Sequence, residues 1–148
     1  GQVVVAGHRE AVQRAVDACR QAGAKRAMTL PVSVPAHSAL MTPAIDGLRM
    51  ALANIDVRRP AFPVLHNVDA SERDEPDAIR GALVEQLVRP VPWTDTVRAL
   101  AERGAGRFLE CGPGRVLSGL GKRIDRRATW IPVDTPDGLT RALAHEAA

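Results

Sequence analysis

The chain has 148 residues, 45% of them apolar and 25% charged, which gives enough apolar material for a core and excludes disorder as its default state. The formal charge of +3 comes from 18 Arg and only 2 Lys against 17 acidic residues, an Arg and Ala bias that reads as a GC-rich, bacterial genome. Aromatic residues make up 3% with no Tyr, so the stacking platforms of a single-strand binder and the basic stripe of a duplex binder are both missing, and no nucleic-acid partner is expected.

No apolar run approaches the ~20 residues of a membrane span, and the opening Gly1-Gln2-Val3-Val4-Val5 carries no secretory pattern, so no membrane association is expected and the location is read as cytoplasmic. Cys19 and Cys111 are the only cysteines, which fits a reducing compartment rather than a disulfide framework. The four histidines and two cysteines show no metal-ligand spacing, and no metal is expected.

In chain order, the β-branched run Gln2–Gly7 predicts a strand. Residues 8–23 predict a helix, with Ala11, Val12, Ala15, Val16 and Cys19 at helical spacing and Gly23 as its stop. Residues 25–31 predict a short strand, and the prolines of Pro31-Val32-Ser33-Val34-Pro35 hold the following segment extended. Helical spacing returns over 39–57 through Leu40, Ala44, Leu48 and Leu52. A strand over 63–68 is followed by a helix over 75–88 with Pro76 in its first turn. Then come a helix over 93–103 closed by Gly104, a strand over 107–112, a helix over 115–124, a strand over 129–133 and a helix over 136–146. This alternation predicts an α/β architecture with a mostly parallel sheet. A chain that opens on a buried-type strand without Met is expected to be cut from something longer.

Among candidate catalytic groups, His8 and His145 read as surface residues and His66 as a core or rim residue of a strand. His37 stands in a loop between a proline-rich extended segment and a helix, where a scaffold can present a general base. Its neighbours Ser33 and Ser38 make poor nucleophiles by direction, no G-x-S-x-G elbow exists, and Cys111 reads as a buried small apolar residue. Gly112-Pro113-Gly114-Arg115 can expose N–H groups to an anion at a helix start, although a tight packing turn is the preferred reading. The basic pairs Lys25-Arg26 and Lys122-Arg123 can steer an acidic partner.

The segments Gly1-Gln2-Val3-Val4-Val5-Ala6-Gly7-His8, Leu30-Pro31-Val32-Ser33-Val34-Pro35-Ala36-His37-Ser38-Ala39-Leu40-Met41, Asn67-Val68-Asp69, Gln86-Leu87-Val88-Arg89-Pro90-Val91-Pro92-Trp93 and Glu110-Cys111-Gly112-Pro113-Gly114-Arg115-Val116-Leu117 occur in an order that resembles the bacterial malonyl-CoA:acyl-carrier-protein transacylases of type II fatty acid synthesis. The resemblance implies a C-terminal half. Residues 1–33 would be the second half of a ferredoxin-like small subdomain, and residues 34–148 the C-terminal part of an α/β-hydrolase-like large subdomain. The family's nucleophilic serine would lie upstream, in the missing N-terminal half. By position, His37 matches the catalytic histidine and Gln86 the residue whose backbone carbonyl orients it. Ala36 and Ser38 fall where the family lines its acyl pocket, and Lys25, Arg26, Lys122 and Arg123 become candidates for docking an acidic acyl carrier protein. No cofactor is implied, malonyl-CoA being the substrate. The alternatives are a polyketide-type acyltransferase domain, against which the plain ending at Ala147-Ala148 is read, and a non-catalytic piece that only docks carrier protein.

Overall fold

The structure is a computed structural model that describes residues 2–144. These form two compact units, one spanning Gln2–Val91 and the other starting at Pro92.

In the first unit, α1 spans Arg9–Gln21. It ends where the sequence places its stop. Gly23 takes φ 84°, its N–H bonds the Arg20 carbonyl, and the Ala24 N–H bonds that of Cys19, a Schellman closure that needs a residue free to turn left-handed. The segment expected as one helix over 39–57 divides into a 3-10 turn, Ala39–Ala44, and α2, Ile45–Ala53. Pro43 is the reason, since it has no N–H for the Ala39 carbonyl, which accepts from the Thr42 hydroxyl instead at 2.7 Å. Helix α3 spans Pro76–Glu85 with Pro76 in its first turn. Arg80 of α3 donates to the Leu52 and Ile55 carbonyls at the end of α2, and Leu52, Val68, Ile79, Ala82 and Val84 are buried.

Three expected strands are absent from this unit. Residues 2–7 and 25–31 belong to no ladder, and of 63–68 only an isolated antiparallel bridge, Leu65 to Glu72, survives. β-Branched composition favours an extended chain, but a strand exists only when a neighbour takes its N–H and C=O groups. Among the described residues no such neighbour is present for 2–7 or 25–31. Their side chains lie open accordingly, Val3 at 85% and Met28 at 49% exposure.

In the second unit, α4 spans Trp93–Glu102 and closes like α1, with Gly104 at φ 92° and the Ala105 N–H on the Leu100 carbonyl. Strand β1, Arg107–Cys111, pairs in parallel with β2, Thr129–Val133, through the crossover helix α5, Val116–Ile124. Helix α6 spans Pro136–Ala144; residues 145 and 146 of the expected helix, and with them His145, lie outside the described residues. Phe108 and Trp130 face each other across the register and stack with ring centroids 4.1 Å apart. Cys111 is exposed, contrary to the expectation of a buried apolar residue. It shares the face of β1 that carries exposed Leu109, opposite Phe108, and the alternation of the strand turns both outward. Among the described residues no helix is long and apolar enough to cross a membrane.

Candidate active site

The proline segment before His37, expected to be extended, is bent: the Val32 N–H bonds the Leu30 carbonyl in a tight turn at Pro31 and the chain bends again at residues 33 and 34, so that His37 sits in a turn just ahead of the 3-10 turn at Ala39–Ala44. Its backbone is left-handed, φ 60°, one of two non-glycine residues so placed among the described ones. A β-carbon in that region costs about 1–2 kcal/mol, and such strain gathers at functional positions because the surroundings must enforce it. Two contacts enforce it here. The Ser38 hydroxyl donates to the Pro35 carbonyl at 2.7 Å and closes the turn, and the His37 ring reaches across 49 residues of sequence to the Gln86 carbonyl, Nδ1 to O 2.8 Å.

A carbonyl only accepts, so Nδ1 must carry the hydrogen and the Nε2 lone pair is left free. With Nδ1 engaged as the donor, the lone pair of the unprotonated ring is at Nε2. Gln86 is the residue that caps α3, and its partner atom belongs to the backbone. The sequence-derived pair is thus brought together. Ala36 is exposed, and Ser38, half-buried, is occupied in bracing the turn.

The other candidates separate cleanly. His8 stands exposed at the start of α1 without a capping hydrogen bond from its side chain. His66 is half-buried and its Nε2 has no hydrogen-bond partner; burial and then the nearby Arg73 cation push its pKa down, so it stays neutral at pH 7. The turn 112–114 is no open anion cradle. The Glu110 carboxylate accepts from the N–H groups of Leu117 at 2.8 Å and Ser118 at 2.7 Å, and so fills the start of α5. Burial pushes the Glu110 carboxyl up, but the hydrogen bonds from Ser118 and Leu117 outweigh it and hold it below its ordinary value. Glu110 escaped the sequence reading; a carboxylate ending a strand just before a Gly-Pro-Gly turn was its only signal.

A second carboxylate the sequence reading did not single out is Asp69. It accepts two hydrogen bonds from the Arg73 guanidinium, at 3.0 and 2.6 Å, and one from the Ser71 N–H. Those bonds, Arg73 first, hold its pKa at about 2. Lys25 and Arg26 are exposed in the first unit, and Lys122 and Arg123 are exposed in the last turn of α5 in the second. None of the four forms an ion pair among the described residues. No group of three His, Cys, Asp or Glu that could hold a metal occurs among the described residues either.

The chain belongs to the acyl transferase domain family, which it matches over residues 1–132. It is 52% identical over 143 residues to the malonyl CoA-acyl carrier protein transacylase of Escherichia coli K12, covering 97% of this chain and 46% of that protein. It is 39% identical over 143 residues to the Bacillus subtilis protein of the same name, covering 97% of this chain and 45% of the relative. The chain therefore spans about half the length of these relatives. Among solved structures it is similar to the Coxiella burnetii malonyl CoA-acyl carrier protein transacylase, with TM-score 0.88, 46% identity and coverage of 93% of this chain and 44% of that one. It is also similar to a malonyl-transacylase solved in complex with a type II polyketide acyl-carrier protein, with TM-score 0.89, 51% identity and coverage of 94% and 45%.

Proposed function

We propose that the chain is the C-terminal part of a malonyl-CoA:acyl-carrier-protein transacylase, with His37 as its general base. The observation that carries this is the 2.8 Å contact between His37 Nδ1 and the Gln86 carbonyl, which leaves Nε2 as the free base. In the complete enzyme His37 would take the proton of a serine supplied by the N-terminal half as that serine attacks the malonyl thioester. It would return the proton to the departing CoA thiolate, leaving a malonyl-serine ester. The cycle would close when His37 takes the proton of the carrier protein's pantetheine thiol, the thiolate takes the malonyl group from the serine ester, and His37 returns the proton to the released serine oxygen.

The exposed apolar segments at residues 2–7 and 25–34 support an incomplete fold, since Val3, Val4, Val5, Met28, Leu30, Val32 and Val34 are each at least 47% exposed. Residues 1–33 would complete a ferredoxin-like subdomain and residues 34–148 an α/β-hydrolase-like one. Ala36 and Ser38 would border the acyl pocket. Lys25, Arg26, Lys122 and Arg123, which form no ion pair among the described residues, would attract the acidic carrier protein. No cofactor is needed for acyl transfer between thiols.

The test is split-enzyme complementation. The chain is produced with the N-terminal part of the Escherichia coli relative and given malonyl-CoA, and the upstream piece is weighed by native mass spectrometry. A gain of one malonyl group, followed by transfer to carrier protein, is the expected result. His37→Ala should slow transfer by about 10²–10⁴-fold, whereas Gln86→Ala keeps the carbonyl and should be far milder. Near-wild-type transfer by His37→Ala would sink the reading. Transfer by this chain alone would also overturn it, because the hydroxyl nearest in sequence, Ser38, is committed to Pro35.

A further inference from the structure

We infer that Arg80 is a positioning residue for His37: its guanidinium pins α3 to the end of α2 and so keeps the Gln86 carbonyl within reach of the ring. The inference rests on the reading of His37 as the base. The two partners of the 2.8 Å bond ride on different arms of the first unit. His37 leads into the 3-10 turn and α2, and Gln86 caps α3. The chain between the arms, residues 54–75, holds no helix and only an isolated bridge, so it does not fix their spacing. The two helices pack on each other, with Leu52 of α2 and Ile79 and Ala82 of α3 buried. Apolar burial is non-directional; it brings the arms together without setting how far one has slid along the other.

Arg80 adds the direction. Its Nε donates to the Leu52 carbonyl at 3.1 Å and one terminal nitrogen to the Ile55 carbonyl at 2.9 Å, while the other terminal nitrogen donates to the Asp77 carboxylate at 2.9 Å. With all three nitrogens engaged, the planar fork has one orientation. Leu52 and Ile55 stand at the end of α2, where carbonyls run short of helical donors. The arm that starts at His37 is thus tied to α3 twice, through the histidine ring at its beginning and through Arg80 at its end. Arg80 lies six residues before Gln86, about 9 Å along a helix axis. An N–H···O bond weakens once the heavy atoms part beyond about 3.2 Å, so a slide of α3 by about 0.5–1 Å releases the ring. Arg80 touches no reacting atom; its effect passes through α3 to the Gln86 carbonyl and from there to the tautomer of His37.

The complete enzyme is made with Arg80→Ala, Arg80→Lys and Ile79→Val. The first removes the fork, the second offers one point donor for two carbonyls, and the third loosens the same helix pair while leaving the fork in place. Nitrogen-15 NMR of labelled histidine reads which ring nitrogen of His37 carries the hydrogen, and steady-state transfer is measured beside it. Arg80→Ala should raise the share of the Nε2–H tautomer and lower kcat about tenfold, the effect of losing one hydrogen bond, with KM for malonyl-CoA unchanged. Arg80→Lys should fall between it and wild type. Ile79→Val should lower the unfolding midpoint and keep the wild-type tautomer and kcat. A wild-type tautomer in folded Arg80→Ala overturns the inference. An Ile79→Val protein whose tautomer shifts as far overturns it too, since general loosening would then account for both. If Arg80→Ala does not fold, a wild-type tautomer in Arg80→Lys decides against it. Because the NMR signal reports the ring alone, a wild-type enzyme that fails to transfer malonyl groups counts against the proposed function and leaves the Arg80 result readable.

Discussion

Gly121 lies inside α5, where glycine is the weakest helix former after proline, and replacing it with alanine should stabilise an ordinary helix by about 1 kcal/mol. The structure reverses that expectation. A methyl group at Gly121 would overlap three carbons of the Trp130 six-membered ring. Trp130 cannot swing aside cheaply, because it is 7% exposed, stacks on Phe108 with the ring planes 6° apart and donates its indole N–H to the Asp125 carbonyl. Overpacking costs about 1–3 kcal/mol, and a disturbed aromatic stack adds about 0.5–1.5 kcal/mol. Set against the propensity gain, Gly121→Ala should destabilise by about 1–3 kcal/mol. In a Trp130→Leu background the overlapping ring carbons are gone, and the same substitution should stabilise by about 1 kcal/mol. Urea unfolding followed by far-ultraviolet circular dichroism on the four members of the cycle measures both signs. If Gly121→Ala raises the midpoint in both backgrounds, the close approach of α5 to β2 is wrong.

Three further predictions concern the polar contacts. Glu110→Ala uncaps α5 and should cost about 1–2 kcal/mol; because the folded-state pKa of Glu110 is depressed, its contribution is complete at neutral pH and fades with acidification, so the gap between wild type and variant should narrow on acid titration. Asp69 titrates near 2 when folded, against an ordinary 3.8, so its hold on the 66–73 loop is complete above that ordinary value and lost as pH falls toward 2; hydrogen exchange at Ser71 should accelerate over that window in wild type and already be fast at neutral pH in Arg73→Ala. His37→Gly should be more stable than His37→Ala by about 1 kcal/mol in thermal unfolding, since both lose the ring but only alanine keeps the β-carbon strained at φ 60°; equal stabilities would contradict the left-handed backbone.

What could be read from the sequence divides along the range of the forces involved. Helix stops at Gly23 and Gly104 were legible because a left-handed cap is a property of one residue and its two followers. Strand β2 was legible to the residue, because Trp130 and Ile131 find their pairing partner and their cover within the chain. Residues 2–7 and 25–31 carry an equally plain strand composition and form none, since their ladder partners are absent from the described residues. Composition states what a segment tolerates; pairing is a property of the neighbour. The break at Pro43 was visible in principle, and the helical spacing of Leu40, Ala44 and Leu48 concealed it.

The same division runs through the site. Loop position alone marked His37 as presentable, and neither periodicity nor spacing leads from it to a backbone atom 49 residues away. The resemblance to the transacylases made that link. The left-handed turn lay beyond both, because nothing in Ala36-His37-Ser38 asks for a positive φ. Its cause is tertiary: the Ser38 hydroxyl holds Pro35 on one side, and the unclaimed carbonyl at the end of α3 draws the ring on the other. The strain at His37 and the incomplete hydrogen bonding at Gln86 are therefore one arrangement, in which each residue supplies what the other's local structure leaves wanting.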